Sequence, residues 1–344
     1  MIKDLSQNPG HIQYLCSRLD IGTQQSELSR VYGGFHHKMW RLETDGGTYA
    51  IKQLSPDTDL SNSDTTNHYN VTEAIAEAFA SYGISAIFAL KCSTNYLQVI
   101  DSVGYLVYPW TNAVGLDIND ISEDHALEVA RVMAKMHCAN IAVPGLKEMQ
   151  FDIHPEEKII SSIQRACECN AENSKALNEQ LPTILNIVNA QKTAIKTLEQ
   201  RVVISHGDLD HKNVLWDDSD KPILIDWESA RKLNPTYEIL LEALDWSGIT
   251  TKFDHELFEK FLSAYTEAGG VIESSSLQAS FDCILGDWIN WLMYNLGRSV
   301  DLEDAEQRLV GAAQVDLSLS TISRLGYLIP QLLSLARDVQ VTHV

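Results

Sequence analysis

The stretch VVISHGDLDHKNVLWDDSDKPILIDWESA, Val202 to Ala230, decides the reading of this chain. A short apolar run leads into His206, Asp208 and Asn213 at close spacing. A turn-rich segment follows from Asp217 to Pro222, and a second apolar run, Ile223 to Ile225, ends at Asp226. The pattern predicts two β-strands joined by a hairpin-like turn, with acidic or amide side chains at the ends of both. Three oxygen donors at strand ends suit a Mg²⁺-dependent phosphoryl-transfer site. Hard cations take oxygen ligands, and a transferring phosphoryl group needs its charge neutralised.

Upstream, Val31 to Leu54 reads VYGGFHHKMWRLETDGGTYAIKQL. Asp45, Gly46 and Gly47 make a hairpin turn between β-prone flanks. Gly33 and Gly34 let the backbone approach a ligand closely, with free N–H groups available to phosphate. Lys52 sits in the second strand between apolar neighbours, where an ammonium must find a partner or reach a cleft. Asn70 to Tyr82 is predicted as a helix stopped by Gly83. Glu73 and Glu77 lie one turn apart on it, and Glu73 is the expected partner of Lys52. Leu97 to Ile100 and Gly104 to Tyr108 read as strands. Pro109 and Trp110 close the sheet, so a boundary is expected after residue 110.

Beyond that point the pattern is helical. Ser122 to Asn140 opens with a serine cap and an acidic first turn, and His137, Met133 and Met136 on it read as packed side chains. Further helices are expected between Pro155 and Arg201, over Tyr237 to Ser247, His255 to Ala268 and Leu277 to Asn295, and within Ala305 to Val339. At helical spacing, Trp288, Trp291 and Tyr294 are expected in the core, with a cation–π box as the other reading.

The 344 residues carry a net charge of −21, most of it after residue 110. This excludes a general nucleic-acid binder, which needs a basic face, and suits a cationic substrate. The six cysteines are scattered without zinc spacing, as expected of reduced thiols in a cytoplasmic protein. No secretory leader or membrane span is expected. GxxxxGK[ST] and GxGxxG are both missing, which excludes a P-loop NTPase and a Rossmann oxidoreductase. HGD and IDW stand where a protein kinase carries HRD and DFG.

The order of glycine pair, strand lysine, helix glutamate, proline-marked hinge, HGDLDHKN and IDWE resembles the aminoglycoside phosphotransferase and choline kinase superfamily, from about Val31 to about Asn295. The resemblance implies an α+β, protein-kinase-like two-lobe fold. Residues 1–110 would form a small β-rich nucleotide-binding lobe, and residues 111–344 a mainly helical catalytic and acceptor-binding lobe. It implies ATP, or GTP, with Mg²⁺ as cofactors. Asp208 would accept the proton of the attacking hydroxyl or orient that hydroxyl, and Asn213 and Asp226 would ligate Mg²⁺. Gly33, Gly34, Lys52 and Glu73 would serve the nucleotide phosphates, and Tyr108 to Trp110 the adenine hinge.

His206 is expected to orient the loop. Glu228 is open between supporting the site and being solvated, and Lys212 between phosphate and solvent. His36 and His37 are rejected as a metal pair, because adjacent strand residues point to opposite faces. The expected acceptor is a small cationic molecule of aminoglycoside type, with Glu242, Asp245, Asp287 and Trp288 as candidate contacts. The alternatives are a metabolic acceptor such as choline, homoserine or methylthioribose, or a nucleotide-binding regulator without turnover.

Overall fold

Trp40 and Leu42 alternate with polar neighbours on one strand, and Ile51 lies opposite Trp40 on the strand that the Asp45–Gly46 turn folds back on it. A strand presents successive side chains to opposite faces, so one face of this hairpin is apolar and must be covered. In the computed structural model, which describes residues 4–32, 37–117, 119–139, 141–169, 173–300 and 305–341, that cover is α1 (Pro9–Leu19). Its Ile12, Leu15 and Cys16 share a buried cluster with Trp40, Leu42, Ile51, Tyr105 and Val107. The sheet has five antiparallel strands, β1 (Ser29–Val31), β2 (Lys38–Thr44), β3 (Gly47–Gln53), β4 (Gln98–Ile100) and β5 (Val103–Pro109), in the order β1-β2-β3-β5-β4.

The other face of the sheet carries Leu54 and Leu106, which pack with Tyr69 of α2 (Ser63–Tyr82). Lys52, registered opposite Leu106, belongs to this face, while its neighbour Ile51 belongs to the α1 side. Asn62 caps α2 by accepting from the Asp64 N–H at 2.8 Å. The helix ends at Gly83, as expected, in the left-handed conformation at φ 95°. It starts earlier than the Asn70 expected from the apolar stripe, because its first two turns are polar and leave no periodic signal.

The chain divides by contact into two units. One comprises Met1–Asp120, Ala139–Lys147 and His206–Arg231, and the other Ile121–Cys138, Glu148–Ser205 and Lys232–Val344. Relative to the expected break after residue 110, the first unit runs ten residues further and takes in the HGD and IDW segment. Within it, Val214–Trp216 pairs with Val114–Gly115 on one side and with Pro222–Leu224 on the other. Leu224 also donates to the Ser85 carbonyl at 2.8 Å and accepts from the Ile87 N–H at 2.9 Å. The expected hairpin is therefore stitched to the chain just after α2.

The second unit is built from helices α3 (Glu123–Cys138), α4 (Glu156–Glu168), α5 (Ser174–Leu198), α6 (Pro235–Trp246), α7 (His255–Glu267), α8 (Leu277–Ser299) and α9 (Ala305–Val341). Met133, Met136 and His137 are buried, as expected. His137 is tied to Tyr265 at 2.8 Å and to Glu238 at 2.6 Å, so it closes a buried polar network. The expectation that Trp291 and Tyr294 lie in the core is corrected, and Trp288 is half-buried. Trp291 and Tyr294 are 42% and 49% exposed and stack on each other at 5.5 Å, with the Arg298 guanidinium 5.6 Å from the Tyr294 ring. The buried stripe of α8 runs instead through Phe281, Ile284, Ile289, Leu292 and Leu296. No described helix is long and apolar enough to cross a membrane.

Candidate active site

His206 is fully buried, and its Nε2 donates to the Ile225 carbonyl at 2.9 Å. A carbonyl only accepts, so the proton of this nitrogen is fixed. Ile225 in turn donates to the Asn213 carbonyl at 3.0 Å. These two bonds clamp the loop holding Asp208 against the strand end that leads into Asp226. His206 thus orients the loop, and its ring lies 4.5 Å from the buried Trp227 ring.

Gly207 makes the clamp possible. Its φ is +78°, and a Cβ there would lie 2.5 Å from the Ser229 carbonyl oxygen. Gly207→Ala is therefore expected to destabilise the protein by about 1–3 kcal/mol, from left-handed strain and a backbone clash. Chemical denaturation checks this as a lower midpoint at unchanged slope. An unchanged midpoint would show that the loop adapts.

After Asp208 the chain makes a single 3-10 turn, His211–Asn213, capped by Asp210, whose side chain accepts from the Lys212 N–H. The turn brings Asn213 back to Asp208. Its Nδ2 donates to the Asp208 carbonyl at 2.8 Å and to Asp208 Oδ2 at 3.0 Å. With the nitrogen so used, Oδ1 of Asn213 takes no hydrogen bond among the described residues. Lys212 reaches back to Asp210 at 2.9 Å rather than standing alone.

Asp208 keeps solvent access although protein crowds it. Desolvation, followed by the charges of Asp210 and Asp226, pushes its carboxyl up to about 6, against the Asn213 hydrogen bond. A carboxylate with that poise beside solvent suits a general base.

Asp226 adopts φ 61° and ψ 58°, an uncommon conformation for a non-glycine residue. From there its Oδ1 accepts from Lys52 Nζ at 2.7 Å. Glu228 Oε2 takes a second bond from the same ammonium at 2.9 Å. Burial disfavours the charge on Lys52, but these two carboxylates outweigh it and raise the pKa, so the ammonium stays protonated.

The expected Lys52–Glu73 ion pair is corrected. Glu73 is buried and spends its carboxylate elsewhere. Oε1 accepts from the Tyr108 hydroxyl at 2.7 Å and Oε2 from the Ala89 N–H at 2.6 Å. Burial pushes its carboxyl up to about 7 despite those bonds. Tyr108 therefore turns its side chain toward α2, and burial holds its phenol well above the usual range. Trp110 donates its N–H to the Thr48 carbonyl at 3.1 Å, and the Arg41 guanidinium lies 5.1 Å from its ring. Gly33 and Gly34 lie outside the described residues, as do Phe35 and His36.

The structure brings Lys52, Asp208, Asn213, Asp226 and Glu228 into one cluster within one unit. It adds His37, which the sequence reading weighed only as half of a metal pair. Its Nδ1 accepts from the Ser55 N–H at 3.0 Å, and its Nε2 faces Glu228 Oε2 at 3.4 Å. No sequence signal singles it out, because both partners are remote in the chain. Asn213 Oδ1 and the Asp226 carboxylate are hard oxygen donors at the two ends clamped by Ile225, and they fit Mg²⁺. Among the acceptor candidates, all in the other unit, Glu242 is buried. Asp287 accepts from the Tyr237 hydroxyl at 2.5 Å, and Phe151 packs edge-on against Tyr237 at 5.2 Å.

Residues 84–253 match the family model described as choline/ethanolamine kinase. The chain has no significant match among curated proteins. In structure it is similar to a spectinomycin phosphotransferase in complex with ADP and spectinomycin. The TM-score is 0.65 at 14% identity, covering 92% of this chain and 98% of that one. It is also similar to the choline kinase of Cryptosporidium parvum Iowa II (TM-score 0.55, 14% identity, 96% and 99% covered). A third similar structure is the Plasmodium vivax ethanolamine kinase (TM-score 0.56, 14% identity, 90% and 83% covered).

Proposed function

We propose that this chain, whose residues 84–253 match the choline/ethanolamine kinase model and whose fold is similar to that of small-molecule phosphotransferases, phosphorylates a hydroxyl of a small cationic molecule using Mg²⁺ and ATP. The observation that carries the reading is the cluster joining Lys52 to Asp226 at 2.7 Å, in the same unit as the Asp208–Asn213 pair at 3.0 Å. Phosphoryl transfer asks mainly for positioning and charge neutralisation, and this cluster offers both.

In the mechanism, Lys52 binds nucleotide phosphate oxygens. It is a cation held in place by carboxylates and sheltered from water. Asn213 through Oδ1 and Asp226 through its carboxylate would hold Mg²⁺, which when bound neutralises phosphate charge and orients the transferring group. Asp208 accepts the proton of the attacking hydroxyl at a carboxylate oxygen, while Asn213 Nδ2 fixes that carboxylate's direction. The backbone of Tyr108 to Trp110 serves the adenine, and Gly33 and Gly34 serve the phosphates. Residues 1–110 supply most of the nucleotide contacts, and the helices beyond residue 111 choose the acceptor.

An aminoglycoside-type acceptor is favoured because the charge of the chain is concentrated, at strongly negative values, in the part that would meet it. Such an acceptor would make this an antibiotic-resistance enzyme, working in the cytoplasm where ATP is available. An amino alcohol such as choline is the second reading, favoured by the match over residues 84–253. A side-by-side screen of ADP release with aminoglycosides, spectinomycin, choline, ethanolamine, homoserine and methylthioribose tests these. Stimulation by an aminoglycoside or spectinomycin is the expected result. Stimulation by choline or ethanolamine alone would select the second reading.

A further inference from the structure

A lysine that binds phosphate needs a carboxylate to direct it, and three carboxylates lie near Lys52. Asp226 has a competing duty, because a carboxylate that ligates a dication has less charge left for a lysine. Glu73 is committed to the Tyr108 hydroxyl and the Ala89 N–H, and with its carboxyl pushed up to about 7 it is a poor ion-pair partner at neutral pH.

Glu228 has neither limitation. It holds Lys52 at 2.9 Å. Its Oε2 is shared between the Lys52 ammonium and the His37 ring, and no role at the metal is assigned to it. The turn that carries it, Trp227–Ser229, is fixed by Trp227, which is buried and stacked on Phe79 of α2 at 5.5 Å.

The same oxygen of Glu228, Oε2, also meets His37. The Ser55 N–H can only donate, so the lone pair of this imidazole is at Nδ1 and the proton of the neutral ring is at Nε2. That nitrogen faces Glu228 Oε2 at 3.4 Å and the Tyr69 hydroxyl at 3.4 Å. Ser55 follows the end of β3, the strand of Lys52 itself, and Tyr69 lies on α2 one turn before Glu73. The helix is thus coupled to the lysine through Tyr69, His37 and Glu228.

We infer that Glu228 is the carboxylate that directs Lys52 toward the nucleotide phosphates, and that His37 is the positioning residue that holds Glu228 for this task. The inference rests on the reading of this cluster as a nucleotide-phosphate site.

Calorimetric titration of the full chain with Mg²⁺ and a non-hydrolysable ATP analogue tests it, beside thermal melting of each variant. Glu228→Gln and His37→Ala are each expected to weaken binding about tenfold, the loss of one half-buried charge-assisted contact. The double variant is expected to lose little more than Glu228→Gln alone, because both changes break one chain of contacts. His37→Gln, which can again donate toward Glu228, is expected to recover most of the affinity. Glu73→Gln is expected to cost less than Glu228→Gln. Variants that melt like the wild type yet bind the analogue undiminished would overturn the inference, and so would a larger loss from Glu73→Gln. Failure of the wild type itself to bind the analogue would overturn the nucleotide reading, and the inference with it.

Discussion

Asp208→Ala is expected to lower kcat by about 10²–10⁴-fold, the usual contribution of a positioned general base. The affinity for Mg²⁺ and ATP should change by no more than about threefold, since Asp208 touches Asn213 through its Nδ2 and leaves Oδ1 to the metal. Rapid-mix kinetics and nucleotide titration separate the two effects. The pH profile carries the same signature. The Asp208 carboxyl is raised to about 6, so its basic form is present above that value. As the pH falls through about 6 the group takes up a proton and kcat/KM declines. This acid limb should vanish from the residual activity of Asp208→Ala. A variant that kept wild-type turnover would remove Asp208 from the base role.

Asp226→Asn is expected to be the second most damaging change. It removes a metal-binding charge and one of the two carboxylates that keep the buried Lys52 protonated. The loss in kcat should be about 10²–10³-fold, comparable to removing a principal electrostatic stabiliser. The Mg²⁺ concentration for half activity should rise by about tenfold or more. Titrating Mg²⁺ at saturating ATP measures this. An unchanged Mg²⁺ requirement in a folded variant would show that Asp226 does not hold the metal.

The reacting loop was legible because its information is local. The spacing from His206 to Asn213 and the strand–turn–strand run up to Asp226 lie within one short stretch, and a hairpin brings its ends together without help from the rest of the chain. The α2 stripe was legible for the same reason, and so were the Asp45–Gly46 turn and the Gly83 stop. What was not legible depends on side chains that meet from afar. Helical spacing places Glu73 on the correct side of α2, but it cannot say that Tyr108 and Ala89 take its two oxygens before Lys52 arrives. His37 and Glu228 are separated by most of the chain, and each alone reads as an ordinary polar residue.

Trp291 and Tyr294 show the opposite failure. Their spacing sets them on one helix face, yet a face is core only if another element covers it. Here the apolar side of α8 is turned away from them, through Phe281, Ile289 and Leu296. The grouping of the chain by contact was out of reach for a related reason. A linear scan marks boundaries where composition changes, and cannot see that His206–Arg231 returns to fold with the residues before Asp120.

The central claim is that this cluster moves a phosphoryl group from ATP to an acceptor hydroxyl. Phosphorus NMR of the wild type and Asp208→Ala, each with Mg²⁺, ATP and the acceptor that most stimulates ADP release, tests it directly. The account predicts a new phosphate monoester signal growing in step with ADP for the wild type, and neither for Asp208→Ala over the same period. ADP formation without any acceptor-linked phosphate, or equal product from both proteins, would contradict it.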